Sequence, residues 1–260
     1  MRVVRGIATE RKVRPASIVA VGVLAYIAVV LALDPHTGYA EQIGVGCTAI
    51  AVLLSILRFS PVEDRVQILI VVAVASCFEV LGSIIWGVYR YRLGNVPLFV
   101  PPGHGLVYFA GLSFARVDAI RRRSRLFVLL AFLGGCAWAG IGLSGLIGPR
   151  DVCGAIGIVV FSVMLWRSRT PLVLAMVFVI VGALELYGTR LGVWRWTPVV
   201  RGLGIPQGNP PSGAISGYAL FDLAAFSAAG WVARLARSTL ALRRARPRAG
   251  EVAPSTAAGS

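Results

Sequence analysis

The chain has 260 residues, of which 57% are hydrophobic and only 14% are charged, and its mean hydropathy is +0.78. Soluble domains usually contain about 25% charged residues, so this composition excludes an ordinary soluble domain. The formal net charge of +15 does not indicate nucleic-acid binding, because the basic residues lie in short segments between apolar runs and not on one continuous basic face.

Long apolar runs separated by turn and breaker residues predict an all-α polytopic bundle of about eight transmembrane helices, since about 20 apolar residues cross a bilayer as a helix. The first run follows a basic N-terminal segment, residues 1–15, and is interpreted as a retained helix and not as a cleaved signal peptide. Residues 237–260 form a basic tail that is expected to be disordered. The predicted spans are residues 16–33, 43–59, 66–87, 104–119, 126–146, 152–167, 171–191 and 213–235.

The positions of the basic residues predict the orientation, because cytoplasmic loops are enriched in lysine and arginine. With the N-terminus inside, 20 of the 26 lysine and arginine residues fall in inner segments and six fall in outer loops. An even number of spans also keeps the basic C-terminal tail inside. We therefore expect a multi-pass protein of the inner (plasma) membrane whose N- and C-termini are both cytoplasmic.

Two stretches that begin 106 residues apart, at Glu79 and Glu185, are similar in sequence. The first contains Glu-x-x-Gly, Gly-Val-Tyr-Arg-Tyr, Val-Pro and Pro-Pro, and the second contains Glu-x-x-Gly, Gly-Val-Trp-Arg-Trp, Ile-Pro and Pro-Pro in the same order. Each stretch begins late in a predicted span and continues into an outer loop. The similarity predicts two parallel four-helix repeats, residues 16–119 and 126–235, with one composite site between them on the outer side.

Acidic residues within the apolar spans are the first candidates for a functional site. Glu79 and Glu185 lie inside predicted spans, where a carboxylate is costly and normally faces the bundle interior or a wet cavity. The alternative is a structural pair with an arginine or a tyrosine. Asp222, in the last span, is similar but lacks a counterpart in the first half. His104 follows Pro-Pro-Gly at the predicted mouth of a helix, where it is either a proton donor and acceptor or a hydrogen-bonded interfacial residue.

The aromatic residues of the two stretches have two interpretations. They form either an interfacial belt or the wall of a cavity, whose electron-rich faces stabilise a cation. The arginines between them either bind a phosphate or pair with the glutamates, and the asparagine beside Pro210 is a candidate hydrogen-bond donor to a ligand. The resulting substrate-binding candidates are Trp86, Tyr89, Arg90, Tyr91, Trp194, Arg195, Trp196 and Asn209.

Metal and disulfide chemistry are not indicated by the sequence. The two histidines are far apart and lack the spacing of clustered ligands, and the four cysteines include no C-x-x-C pair. No metal site and no cofactor are therefore expected.

The pattern Glu-x-x-Gly, then Gly-x-aromatic-x-aromatic, then Val-Pro resembles that of membrane carotenoid hydratases and, more distantly, of membrane lycopene cyclases. It is carried by Glu79, Gly82, Gly87, Tyr89, Tyr91, Val96 and Pro97, and the second stretch echoes it. The resemblance implies an enzyme that acts on a lipophilic isoprenoid or carotenoid-like substrate by protonation of an alkene, followed by hydration, cyclisation or isomerisation. It implies Glu79 and Glu185 as the acid–base pair, with Asp222 and His104 in support.

Two other classes of function fit the same residues. Parallel repeats and membrane carboxylates also suit a proton-coupled transporter or flippase for a small molecule or lipid. The third class is a scaffold for another membrane enzyme, in which both glutamates would tolerate neutral substitution. The oligomeric state is not predicted.

Overall fold

The computed structural model describes residues 2–146, 148–214, 216 and 217, with side chains from Ala16 onward. This part of the chain is mostly helical. A 3-10 turn (Asp34–His36) joins the first two helices, and a π-helical segment (Val80–Trp86) continues the third. The α-helices are α1 (Arg2–Leu33), α2 (Tyr39–Phe59), α3 (Val62–Glu79), α4 (Val100–Ala115), α5 (Asp118–Arg122), α6 (Ser124–Ser144), α7 (Val152–Arg167) and α8 (Pro171–Leu191).

Several of these helices have the length and composition of membrane spans. Among the described residues, five helical stretches are long and apolar enough to cross a bilayer: Ala16–His36, Tyr39–Phe59, Val62–Trp86, Ser124–Ser144 and Pro171–Leu191. Helix α7 is apolar but shorter. Helices therefore lie at seven of the eight predicted spans, and the eighth, 213–235, falls almost entirely outside the described residues, as does the tail 237–260.

Helix α4 begins and ends four residues earlier than the predicted span 104–119. Pro101 and Pro102 occupy its first turn, where proline is favoured because the N–H that it lacks would have no helical partner. His104 therefore lies inside the helix and not at its mouth. The described part of the chain is mostly helical, as predicted, and its loops also contain four short strands.

The four strands form two antiparallel ribbons. Strand β1 (Tyr89–Tyr91) pairs with β2 (Trp194–Trp196), so that two loops distant in sequence are joined. Strand β3 (Val199–Val200) pairs with β4 (Ile205–Pro206) within the second loop. Strands of two or three residues cannot be predicted from the sequence, because they are too short to show the period-2 alternation of polar and apolar residues.

Helix α4 is the central helix, and it packs against α1, α2, α3 and α8. Small residues allow these close approaches, as is usual for helices that pack in membranes. A Cβ atom placed on Gly111 would lie 2.5 Å from Cγ2 of Val177 in α8, and one on Gly105 would lie 2.7 Å from Cγ2 of Val72 in α3. The central position of α4 brings His104 to the middle of the bundle.

An ion pair fixes the end of the bundle opposite the ribbons. Arg116, which follows α4, donates two hydrogen bonds of 2.6 and 2.7 Å to the carboxylate of Asp64 at the start of α3. These bonds raise the pKa of the Arg116 guanidinium above its ordinary value. The bidentate geometry ties the first turn of α3 to the end of α4.

The contact at Gly111 yields a first prediction. Gly111→Ala should lower the thermal midpoint of the detergent-solubilised protein, because the added methyl group overpacks the α4–α8 contact at a cost of about 1–3 kcal/mol. Gly134→Ala in α6 is the matched control, since no heavy atom lies within 4 Å of the new Cβ and alanine favours the helix. Equal midpoints for the two variants would contradict this packing of α4 against α8.

Candidate functional site

The first acidic residue, Glu79, ends α3 and is 7% exposed. Its Oε2 atom accepts hydrogen bonds from the hydroxyl groups of Tyr89 and Tyr91, at 2.6 and 2.7 Å. The two tyrosines are two residues apart on β1, so their side chains point to the same face of the strand. Of the two partners named in the structural alternative, an arginine or a tyrosine, Glu79 therefore has tyrosines.

The other oxygen of Glu79 faces a histidine. Oε1 lies 3.2 Å from Nε2 of His104, and Nδ1 of the same ring lies 2.9 Å from the carbonyl oxygen of Val100. A carbonyl only accepts, so Nδ1 carries a proton and donates it. Nε2 then either donates to the Glu79 carboxylate as part of an imidazolium or accepts the proton of the neutral acid. A proton shared by the two side chains would lie between Nε2 and Oε1.

The second acidic residue, Glu185, lies in α8 and is 5% exposed. Its Oε2 accepts hydrogen bonds from the indole Nε1 atoms of Trp194 and Trp196, at 2.9 and 3.1 Å. An indole N–H can only donate, so this oxygen remains an acceptor in either protonation state of the acid. Glu185 therefore has the same arrangement as Glu79, with tryptophan in place of tyrosine.

Strand pairing places the two sets of aromatic residues side by side. Tyr89 lies opposite Trp196, Arg90 opposite Arg195, and Tyr91 opposite Trp194, so the register is symmetric about the arginine pair. The rings of Tyr89 and Trp196 are 4.7 Å apart between centroids, and those of Tyr91 and Trp194 are 6.1 Å apart. The four rings form one continuous aromatic surface that contacts both glutamates.

The glycine of each Glu-x-x-Gly sequence makes room for the first aromatic residue of its strand. A Cβ on Gly82 would lie 2.9 Å from the ring of Tyr89, and a Cβ on Gly188 would overlap the ring of Trp194. The motif therefore has a packing reason: the glutamate accepts the hydrogen bonds, and the glycine admits the ring.

The π-helical segment accounts for a difference in spacing between the two stretches. Seven residues, Val80–Trp86, separate Glu79 from Gly87, whereas six separate Glu185 from Gly192. A π-helix closes i→i+5 hydrogen bonds and so accommodates one extra residue per turn. Gly87 and Gly192 then end their helices with matching positive φ angles of 71° and 77°.

A cavity of about 660 Å³ lies beneath the aromatic surface, between α1, α3, α4 and α8. This volume is within the range of about 300–1,000 Å³ that is typical of small-molecule sites. Most of the remaining wall is aliphatic. Its titratable residues other than tyrosine are Glu79, His104 and Glu185, and its aromatic residues are Tyr26, Phe78, Trp86, Tyr89, Tyr91, Phe99, Trp194 and Trp196.

Not every predicted site residue lines this cavity. Arg90 and Arg195 are exposed on the face of the β1–β2 ribbon that is directed away from the glutamates. Asn209 accepts a hydrogen bond from the backbone N–H of Trp196 at 3.0 Å and so supports β2. Trp86 lines the cavity, and its indole donates to the carbonyl of Arg201 at 2.7 Å. Asp222 lies outside the described residues.

Two buried aspartates that sequence reasoning missed hold the loops that carry the strands. Asp34 is 1% exposed and accepts hydrogen bonds from Gln42 and Arg92. Asp151 is 2% exposed and accepts from the backbone N–H groups of Gly154, Gly208 and Ser212 and from the Ser212 hydroxyl. Each lies in a short outer turn, where an acidic residue is typical of an ordinary turn former.

Within the described ranges, no group of three or more histidine, cysteine, aspartate or glutamate side chains is arranged to hold a metal ion. The titratable groups of the site are instead a glutamate–histidine pair and a second glutamate.

No family model matches this chain. No curated protein and no solved structure is significantly similar to it.

The hydrogen bonds to Glu79 yield a second prediction. Tyr91→Phe should destabilise the protein by about 1.5–3 kcal/mol, because it removes a donor to a buried acidic group. Tyr26→Phe is the control, since the Tyr26 hydroxyl bonds to the exposed hydroxyl of Thr48 and a neutral bond contributes about 0.5–1.5 kcal/mol. The thermal midpoints of the two variants, measured in the same detergent, report both losses of stability. A larger loss of stability for Tyr26→Phe than for Tyr91→Phe would contradict the assignment of Tyr91 as a donor to buried Glu79.

Proposed function

We propose that this chain is an integral membrane enzyme that acts on a lipid-soluble, isoprenoid or carotenoid-like substrate by protonation-initiated hydration, cyclisation or isomerisation. The observation that carries the proposal is the Glu79–His104 pair, whose Oε1 and Nε2 atoms lie 3.2 Å apart, close enough to share a proton, at the wall of an apolar, aromatic cavity. A lipophilic chain fills such a cavity favourably, and its double bonds are the groups that an acid there can protonate.

The first chemical step is transfer of the carboxyl proton of Glu79 to one carbon of an alkene. The π electrons form the new C–H bond, and the adjacent carbon becomes a cation. The Glu79 carboxylate that remains accepts hydrogen bonds from Tyr89 and Tyr91, which stabilise its charge. The aromatic faces of the ribbon stabilise the cation.

The second step consumes the cation. In a hydration, the oxygen of a water molecule forms the C–O bond and its proton passes to Glu79 or His104. In an isomerisation, a carbon next to the cation loses a proton to the same pair. In a cyclisation, an internal double bond first attacks the cation and forms a C–C bond, and a carbon next to the new cation then loses the proton. Both routes restore the proton on the pair without an oxidant or reductant.

The two glutamates have different roles in this proposal. Glu79 exchanges a proton with His104, whereas Glu185 has two indole donors and stabilises the cation through its negative charge. Gly213 occupies the place in the second stretch that His104 occupies in the first. Asp222, in the last predicted span, is proposed as a supporting acid.

The resemblance to membrane carotenoid hydratases supports the proposal at the level of residues. Tyr89 and Tyr91, which carry that resemblance together with Glu79, both donate hydrogen bonds to Glu79. The resemblance and the geometry thus select the same side chains.

We further propose that the chain crosses the plasma membrane eight times, as two parallel four-helix repeats with both termini in the cytoplasm. Helices at seven predicted spans and the symmetric register of β1 and β2 support this arrangement. Two repeats related by an axis along the membrane normal would bring equivalent loops together in antiparallel fashion, as in this ribbon.

The proposed chemistry is tested by mass spectrometry of total lipid extracts from a deletion strain and from the complemented strain. An isoprenoid that gains the mass of one water supports hydration. An isoprenoid that changes its retention without a change in mass supports cyclisation or isomerisation. Identical isoprenoid profiles in both strains would overturn the proposal.

A third prediction concerns the glutamates. Glu79→Gln should lower product formation about 10²–10⁴-fold, because the amide cannot deliver the proton. Glu185→Gln should lower it about 10²-fold through loss of electrostatic stabilisation. The control is Glu63→Gln, at an exposed position in the first turn of α3. The measurement is conversion in membranes with equal amounts of each variant, and wild-type conversion by both site variants would contradict these two roles.

A second candidate function is favoured by the location of the site between the two similar stretches, which is where transporters bind substrates and coupling ions. In a proton-coupled transporter or flippase, Glu79 and His104 would bind the proton. Proton-dependent uptake by proteoliposomes that is lost in Glu79→Gln, with unchanged isoprenoids in cells, would select this function.

A further inference from the structure

Two arginines occupy the centre of the ribbon on the face opposite the site. Arg90 and Arg195 are directly opposite each other in the β1–β2 register, and both are exposed. Their strand neighbours Tyr89, Tyr91, Trp194 and Trp196 direct polar atoms to the buried glutamates. Successive side chains alternate between faces of a strand, so the arginines point away from the cavity.

The pairing of two like charges at opposed positions is unfavourable. In the part of the chain that the structure describes, neither arginine forms an ion pair with a carboxylate. The acidic side chains of the neighbouring turns are already engaged: Asp34 with Arg92, Asp151 with Ser212, and Glu41 with the backbone N–H of Gly38. A bound anion would offset the repulsion between Arg90 and Arg195.

The chemistry of the pair selects the kind of anion. Each guanidinium presents five N–H donors in a planar fork that fits phosphate oxygens. One carboxylate is satisfied by one such fork, whereas a phosphate or diphosphate has enough acceptor oxygens to bind both. The ribbon also follows the ends of the apolar stretches Val62–Trp86 and Pro171–Leu191. If these stretches cross a bilayer, the ribbon would meet its headgroup region.

We infer that Arg90 and Arg195 together form a binding site for a phosphate-bearing group on the outer face of the ribbon. The group belongs either to a lipid or to a soluble phosphate compound. The site is separate from the glutamate cavity and does not depend on the reaction proposed for it.

Binding is tested with the full chain purified in a non-ionic detergent, using two probes. Inorganic diphosphate is titrated and followed by ³¹P NMR, and phosphatidic acid is compared by native mass spectrometry with diacylglycerol of the same chains. Arg90→Gln and Arg195→Gln should each weaken binding roughly tenfold, since each removes charged hydrogen bonds, and added salt should weaken wild-type binding. Arg201→Gln, which removes one exposed positive charge from the same outer loop, is the matched control.

The outcomes separate the two sources. Loss of binding of both probes in the ribbon variants supports the site for any phosphate group, and loss for phosphatidic acid alone supports a lipid headgroup. Loss for diphosphate alone supports a soluble phosphate compound. No binding of either probe, or an equal loss in Arg201→Gln, overturns the inference.

A stability measurement tests the premise independently. At low salt and without phosphate, Arg90→Gln should raise the thermal midpoint, because it removes the repulsion across the ribbon. Diphosphate should raise the midpoint of the wild-type protein and leave that of Arg90→Gln unchanged. A lower midpoint for Arg90→Gln in the absence of phosphate would overturn the premise that the pair is uncompensated.

Discussion

The burial of two carboxyl groups in an apolar helical bundle is the constraint on which the ribbon-bearing end of this structure depends. A buried acidic group without hydrogen-bond donors is strongly unfavourable, and the backbone of a helix has no free N–H to offer it. Glu79 and Glu185 obtain their donors from the aromatic residues of β1 and β2. The loops that follow α3 and α8 must therefore fold back over the helix ends and hold their strands in a fixed position.

That fixed position is produced by a second set of buried polar contacts. The carbonyl oxygen of Val88 accepts hydrogen bonds from the backbone and side chain of Thr197 and from Gln207, which joins the first loop to the second. Asp34 and Asp151 tie the same loops to the short turns between helices. The donors of the site are thus held in place by polar contacts outside the cavity.

Apolar runs and breakers located the helices of the described residues, apart from the four-residue offset of α4, and the repeated motif selected Glu79, Glu185 and aromatic residues that lie together in the structure. The sequence named a tyrosine or an arginine as a structural partner of the glutamates but could not choose between them, because a three-residue strand has too few residues to show its pairing. The one-residue difference in spacing after the glutamates was visible, but only the backbone shows that a π-helix absorbs it. His104 was misplaced because Pro101 and Pro102 were interpreted as breakers although proline also begins helices.

The differences between the two stretches matter as much as their similarity. With identical halves, the site would be symmetric about the Arg90–Arg195 pair, and an elongated substrate would bind equally well in two opposite orientations. Tyrosine hydroxyls and imidazole nitrogens can both donate and accept hydrogen bonds, whereas indole N–H groups only donate. The partners of Glu79 can therefore exchange a proton, whereas the two indole donors of Glu185 cannot change their role. In the proposed reaction, a substrate whose reactive double bond must meet Glu79 would have a single productive orientation, and this asymmetry would select it.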